Sequence, residues 1–226
     1  MEITSATQLL QLCSERDFDL AQAVAEYEAF RANTTCDAVR ESMRDTLGVM
    51  RASVESGRED QGERAHLIKG YGRIYSSAKD QGHTLGGSLF QHAILYALSV
   101  AQYNAGLGRI VACPTAGSCG VVPGALLAAA EELGSSDQEL VEALLVMGGV
   151  GIVSAAQGPI SGAEGGCQAE CGVASAMAAG AVVYLANGSN EEVFTAAALA
   201  LQSHLGLVCD PLASLVEVPC VTRNAT

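Results

Sequence analysis

The chain has 226 residues, enough for one large domain or two small ones with a sizeable core. Its formal net charge of −13 argues against nucleic acid and anionic membrane as partners. Trp is absent, aromatics make up 4% of residues and Gly is abundant, a composition that lets helices approach closely instead of being wedged apart by bulky side chains.

The first part reads as helices with ordinary surface charge. Gln8 to Cys13 gives a short apolar turn, Asp17 to Asn33 carries Leu20, Val24 and Tyr27 at helical spacing, and Thr35 to Ser56 carries Val39, Met43, Leu47 and Met50. Thr35 followed by Asp37 predicts an N-cap with an acidic first turn. Ser56 to Gly62 is a polar break. From Leu85 onward the character changes to apolar, small-residue helices separated by Gly/Pro loops, and all five prolines fall from Pro114 onward. Ser88 to Asn104 is helical by period and ends at Gly106-Leu107-Gly108. Pro114 to Pro123 is a loop, Ala125 to Leu133 a helix, and Gln138 to Met147 a helix interrupted by Gly148 to Gly151. Gln157 to Gly166 is a Gly/Pro loop, followed by helices over Cys167 to Ala186 and Glu191 to Leu205. Only Leu215 to Val221 has a strand-like pattern. The expected fold class is all-α, a compact bundle of small-residue-rich helices whose Gly/Pro loops carry the site.

Two uncharged runs, Ala143 to Ala163 and Gly172 to Asn190, approach the length of a membrane span. Both are interrupted by Gly and carry polar residues, so buried core helices are expected. The N-terminus shows no basic region followed by an apolar run, and a cytoplasmic location is expected. Eight cysteines without a secretory signal point to reduced thiols, metal ligation or core filling rather than a disulfide frame.

Cysteine spacing leaves the choice among these open. There is no CxxC pair, so zinc-finger and ferredoxin spacings are missing. Cys167 and Cys171 would share a helix face, either as a two-ligand clamp or as small buried residues. The contexts are more particular: Gly165-Gly166-Cys167-Gln168-Ala169-Glu170, Val208-Cys209-Asp210-Pro211, Val218-Pro219-Cys220 and Ala112-Cys113-Pro114-Thr115-Ala116-Gly117-Ser118-Cys119-Gly120. With these the chain resembles the catalytic α part of the iron–sulfur-dependent L-serine dehydratases, most strongly from Asn104 to Asn224.

The resemblance implies deamination of L-serine to pyruvate and ammonia, in amino-acid degradation leading to gluconeogenesis. Its cofactor would be a [4Fe-4S] cluster held by Cys167, Cys209 and Cys220, whose open iron acts as a Lewis acid. Cys167 follows a Gly pair at a helix start, where amide N–H groups favour a thiolate. Cys13, Cys36, Cys113, Cys119 and Cys171 default to structural thiols. Glu170 falls within the family's pattern and is the candidate catalytic residue, to orient the ammonium group or move a proton. Thr115, Gly117, Ser118, Ser161 and Gly162 lie in Gly/Ser/Thr-rich turns that bind anions through N–H groups, and are the candidate substrate-binding residues.

No Lys or Arg occurs between Arg109 and Arg223, so a cation for the substrate carboxylate would come from one of these or from a partner chain. Only Lys69 and Lys79 are available as Schiff-base lysines, neither in the Gly-rich half, so pyridoxal phosphate is not expected. His204 is noted for lying near Cys209. The chain reads as a single domain over 1–226, with a charged helical part over 1–62 and a motif-bearing core over 85–226. The family's α region continues past the Arg223-Asn224-Ala225 motif with further helices, and some members use a C-terminal cysteine as a fourth ligand; this chain stops at Thr226. The partners implied are L-serine and a β subunit, a homo-oligomer, or both, with no nucleic acid and no membrane. The alternatives are a related iron–sulfur lyase such as a cysteine desulfidase, a non-catalytic subunit or fragment of the same fold, and a zinc-binding structural protein. Serine against threonine turns on one methyl, worth only roughly 1–3 kcal/mol in a pocket.

Overall fold

The computed structural model describes residues 2–226, and among them there are eleven α-helices and no strand. The all-α expectation holds. The helices are α1 (Ala6–Arg16), α2 (Leu20–Ala32), α3 (Cys36–Glu59), α4 (Tyr71–Asp80), α5 (Ser88–Ala105), α6 (Val121–Leu133), α7 (Asp137–Gln157), α8 (Gly162–Gly165), α9 (Cys167–Leu185), α10 (Asn190–Gln202) and α11 (Cys220–Arg223). Short 3-10 turns occupy Ala116–Ser118 and Leu212–Ser214.

Side-chain caps account for five of the eleven helix starts among the described residues. The side chains of Ser5, Asp19, Thr35, Ser136 and Ser189 each accept a hydrogen bond from an N–H in the first turn of the helix that follows. Ser136 with Glu139 and Ser189 with Glu192 form full capping boxes. The Thr35 cap is the one its sequence predicts. Helix α3 runs three residues past Ser56, and its last turn takes up the start of the expected polar break.

The structure departs from the expected elements in three places. Helix α7 continues without a break through Gly148, Gly149 and Gly151, where the sequence pattern predicts an interruption. A helical Gly costs about 1 kcal/mol, and close approach compensates: a β-carbon at Gly149 would stand 2.6 Å from Val24 Cγ2 of α2, and one at Gly151 3.2 Å from Met177 Cε of α9. Residues 71–80, outside the expected helices although Tyr71, Ile74, Tyr75 and Ala78 recur at helical spacing, form α4 against α5. The strand-like Leu215 to Val221 stretch is a turn, closed by the Leu212 N–H donating to the Val218 carbonyl at 2.8 Å, and it leads into α11.

Helix α9 lies at the centre, packed against α6, α7 and α10, while α5 packs against α3, α4 and α6. Helices α7 and α9 are each long and apolar enough to cross a membrane, but their apolar residues form much of the core. A second, smaller core joins Ala65 and Ile68 to Leu98, Ala101 and Val221, and thereby fastens the segment before α4 to α11.

Candidate functional site

The site is built around the N-terminal turn of α9. Gly166 has φ of +77°, a conformation that favours glycine, and a β-carbon there would meet the Leu207 carbonyl oxygen at 2.8 Å. The loop after α10 therefore lies directly on the start of α9. Gln168 pins it from both sides: its N–H donates to the Leu207 carbonyl at 2.9 Å, and its side-chain oxygen accepts from the Gly206 N–H at 2.9 Å. Cys209, exposed, is thereby carried to the end of α9 that begins with the buried Cys167.

Cys220 arrives from a third direction as the first residue of α11. Burial pushes its thiol up to about 11, and the neighbouring Cys167, Glu170 and Cys209 add to the shift. The start of α11 thus lies near Cys167, Glu170 and Cys209, although Cys167 and Cys220 are far apart in sequence. Arg223, one turn further along α11, donates to Cys167 Sγ at 3.2 Å and to the Val208 carbonyl at 3.2 Å. It also forks onto Asp210, with Nη1 to Oδ1 at 2.5 Å and Nη2 to Oδ2 at 3.2 Å. Charge-assisted donation, first to Asp210 and then to Cys167, holds the guanidinium pKa above its ordinary value.

Glu170 projects from the first turn of α9 between two glycine-rich loops. The Thr115 hydroxyl donates to its Oε1. A β-carbon at Gly117 would stand 2.7 Å from both carboxylate oxygens. One at Gly162 would stand 2.9 Å from Oε2 and 3.8 Å from Cys209 Sγ. Three of the five expected substrate-binding residues, Thr115, Gly117 and Gly162, therefore converge on Glu170. Ser118 does not: it is fully buried and its hydroxyl braces the loop against the Cys113 and Thr115 carbonyls, at 3.2 and 3.4 Å. Ser161 precedes α8 and makes no side-chain cap.

Two residues with no expected role hold this arrangement together. The buried Asn224 accepts from the Gly120 N–H at 2.7 Å, and donates to the Gly117 and Cys220 carbonyls, both at 2.8 Å. It ties the 117–120 loop to the turn bearing Cys220. Glu217 is 4% exposed and accepts from three successive N–H groups, of His66 (2.9 Å), Leu67 (2.6 Å) and Ile68 (3.1 Å). Burial pushes its carboxyl up, but the three donations outweigh this and leave its pKa below the ordinary value. Only the motif around Asn224 and the nearness of Glu217 to Cys220 could have singled them out in the sequence.

The remaining candidates sit elsewhere or are already engaged. Cys113, pushed up to about 12 by burial, and the fully buried Cys119 lie together under the 113–120 loop. Cys171 is buried one turn beyond Cys167, and its thiol is likewise raised, first by burial and then by Cys167. His204 is engaged on both ring nitrogens, with Nδ1 2.9 Å from the Ala200 carbonyl and Nε2 3.2 Å from the Ser175 hydroxyl. Arg109 faces away from the cysteines, in a groove of about 880 Å³ with Ser42, Asp45, Thr46 and Tyr103. Lys69 donates to the Gly62 and Ala65 carbonyls, and Lys79 stands 4.0 Å from Asp80.

Among the described residues, no group of three or more His, Cys, Asp or Glu side chains is spaced to close on a single metal ion. A four-iron cluster is a larger body, and its thiolates stand further apart than ligands sharing one ion. A donor set made only of cysteines, on three separate segments, with an N–H donor on one sulfur, has the chemistry such clusters take. The residues present fit that group.

Comparison with known proteins adds a direct likeness. The family model described as serine dehydratase alpha chain matches residues 15–226. The chain is 39% identical over 218 residues to a probable L-serine dehydratase, alpha chain, of Bacillus subtilis (strain 168), which covers 96% of this chain and 73% of that protein. It is 36% identical to the L-serine dehydratase, alpha chain, of Peptoniphilus asaccharolyticus, over 99% of this chain and 77% of that protein. A third likeness, 33% identical, is to an L-serine dehydratase of Helicobacter pylori (strain ATCC 700392 / 26695), over 99% of this chain but 50% of that protein.

Proposed function

The chain belongs to the serine dehydratase alpha chain family, and from that premise we propose that it catalyses the deamination of L-serine with a [4Fe-4S] cluster held by Cys167, Cys209 and Cys220. The observation that carries this reading is that Arg223, on the short helix of Cys220, bonds both Cys167 Sγ and Asp210 beside Cys209, while Gly162 faces both Cys209 Sγ and Glu170 of α9. When bound, the cluster supplies Lewis acidity toward the substrate hydroxyl from an iron that no protein side chain holds.

In this reading the chain's own residues bind the substrate and handle its proton. Glu170 and Cys209 both face Gly162, with the Thr115 hydroxyl on one Glu170 oxygen and no side chain at Gly117 or Gly162 to push the carboxylate aside. It is the group proposed to take the proton from Cα. As the Cα–H bond breaks, its electron pair forms the Cα–Cβ double bond, the Cβ–O bond breaks, and hydroxide leaves to become water on protonation. The 2-aminoacrylate tautomerises to the imine, and water hydrolyses that to pyruvate and ammonium. The sum is redox-neutral and needs no co-reactant.

The substrate carboxylate is assigned to the N–H groups of the 115–118 and 161–166 loops. Arg223 is already committed to Asp210 and Cys167. A cation for the carboxylate would then come from a partner, and the proposal includes a β subunit. It is supported by the alpha-chain naming of two relatives and by the longer single-chain relative. A cytoplasmic location is part of the same proposal, supported by cysteines that are all unpaired, as in a reducing compartment.

The test is anaerobic iron and sulfide analysis with the visible spectrum, on wild type and Cys209→Ala, followed by pyruvate formation from L-serine with the β partner. L-Cysteine is assayed alongside. About four irons per chain, a brown absorbance, and loss of both in the variant are expected. A colourless wild type that cannot be reconstituted would overturn the reading.

A further inference from the structure

The only Lys or Arg after Arg109 is Arg223, and it lies against the cysteines rather than in solvent. Its side chain is 20% exposed, and its Nη1 and Nη2 groups donate to two other segments. One contact goes to the sulfur of Cys167 at the start of α9; the others go to Val208 and Asp210, the residues on either side of Cys209. Arg223 itself stands three residues after Cys220 on the same short helix. One guanidinium therefore touches every segment that bears an expected ligand. An isolated exposed ion pair contributes little, but a planar fork that meets a carboxylate, a carbonyl and a sulfur at once fixes the relative position of all three.

We propose that Arg223 is the positioning residue of the three-cysteine site, holding the Cys209 loop and Cys167 in register with Cys220 and donating a hydrogen bond to the Cys167 sulfur. The inference rests on the cluster reading above for its purpose, but its geometry is testable without the cluster. The Cys209 loop has few other anchors: Gln168 holds it at Gly206 and Leu207, ahead of Cys209, and the Leu212–Val218 hydrogen bond closes the turn that follows. Between these anchors the guanidinium supplies the link that determines where Cys209 points. Lysine could keep the charge, but as a point donor it cannot fork onto Asp210 and reach the sulfur together.

The experiment compares wild type with Arg223→Gln, Arg223→Lys and Asp210→Asn, first on the cluster-free chain. Peptide-resolved hydrogen exchange across 206–212 and the alkylation rate of Cys167 are the readouts. Both rates are expected to rise in Arg223→Gln and Arg223→Lys, with a smaller rise in Asp210→Asn, which retains the arginine and the fold. After anaerobic reconstitution, the Arg223 variants are expected to lose iron about ten- to a hundredfold faster in air, as when outer partners of metal ligands are removed. The reduction potential of Arg223→Gln should move to more negative values, because a donor to a cluster sulfur is lost.

Exchange and alkylation at wild-type rates in folded Arg223→Gln would overturn the proposal, as would an unchanged potential in the reconstituted variant. If wild type takes up no iron, the cluster reading fails, while the exchange and alkylation rates still decide whether Arg223 holds the site together.

Discussion

Gly117 and Glu170 are so close that no side chain fits between them: a β-carbon at position 117 would stand 2.7 Å from each oxygen of the carboxylate. The contact joins the 113–120 loop to the first turn of α9. In Gly117→Ala the neighbour that must move is the end of a flexible side chain, so the fold is expected to survive with a small change in Tm. The carboxylate is displaced by a few tenths of an ångström or more. A misplacement approaching 1 Å can cost about a hundredfold in rate, and a loss of that order in pyruvate formation is expected. Unchanged turnover in a folded variant would remove Glu170 from the reaction.

Asn224 gives a prediction about stability. In Asn224→Ala the buried Gly120 N–H and the Gly117 and Cys220 carbonyls lose their partner. The Gly120 N–H alone should cost about 1–3 kcal/mol, read as a lower denaturant midpoint at unchanged m-value. Asn224→Asp keeps the acceptor for Gly120 but turns an oxygen toward the two carbonyls. It should be no more stable than the alanine variant; a wild-type midpoint in Asn224→Asp would refute the assigned donor directions.

Two glycines in α3 should respond with opposite signs. A β-carbon at Gly48 would meet no neighbouring group within 4 Å, whereas one at Gly57 would fall 2.1 Å from the Ser99 carbonyl oxygen of α5. Gly48→Ala should therefore stabilise by about 0.5–1 kcal/mol, the usual gain in a helix interior. Gly57→Ala forces backbone against backbone and should cost about 3 kcal/mol or more. Thermal or chemical denaturation of the pair separates helix propensity from helix–helix contact.

Glu217 makes a prediction about pH. Its folded pKa lies below the ordinary value near 4.5, so the unfolded chain takes up its proton first on acidification. The stability it contributes is full above about pH 4.5 and is lost as the pH falls through the folded pKa. Glu217→Gln should be less stable than wild type at neutral pH, and the gap should narrow in acid. Parallel stability–pH curves for the two proteins would show that the charge contributes nothing.

The α-helical class, the Thr35 cap and the motif-bearing loops were legible in the sequence because their causes are local. A cap such as Thr35 bonds to an N–H three residues away, and an apolar period declares its helix whatever it packs on. The misreading of α7 had a tertiary origin, since its glycines seat Val24 and Met177 rather than end the helix. The site was legible only as a set of motifs. That Thr115, Gly117 and Gly162 meet at Glu170 while Ser118 turns inward depends on how two loops are pressed onto α9. The partners of Glu217 lie about 150 residues away in the chain, and those of Asn224 among residues 117–120. By itself the sequence determined most of the segments that become helices and which residue types are available for the chemistry. Which of those residues touch was decided by the tertiary structure, because hydrogen bonds between distant segments exist only once the core has fixed the helices against one another.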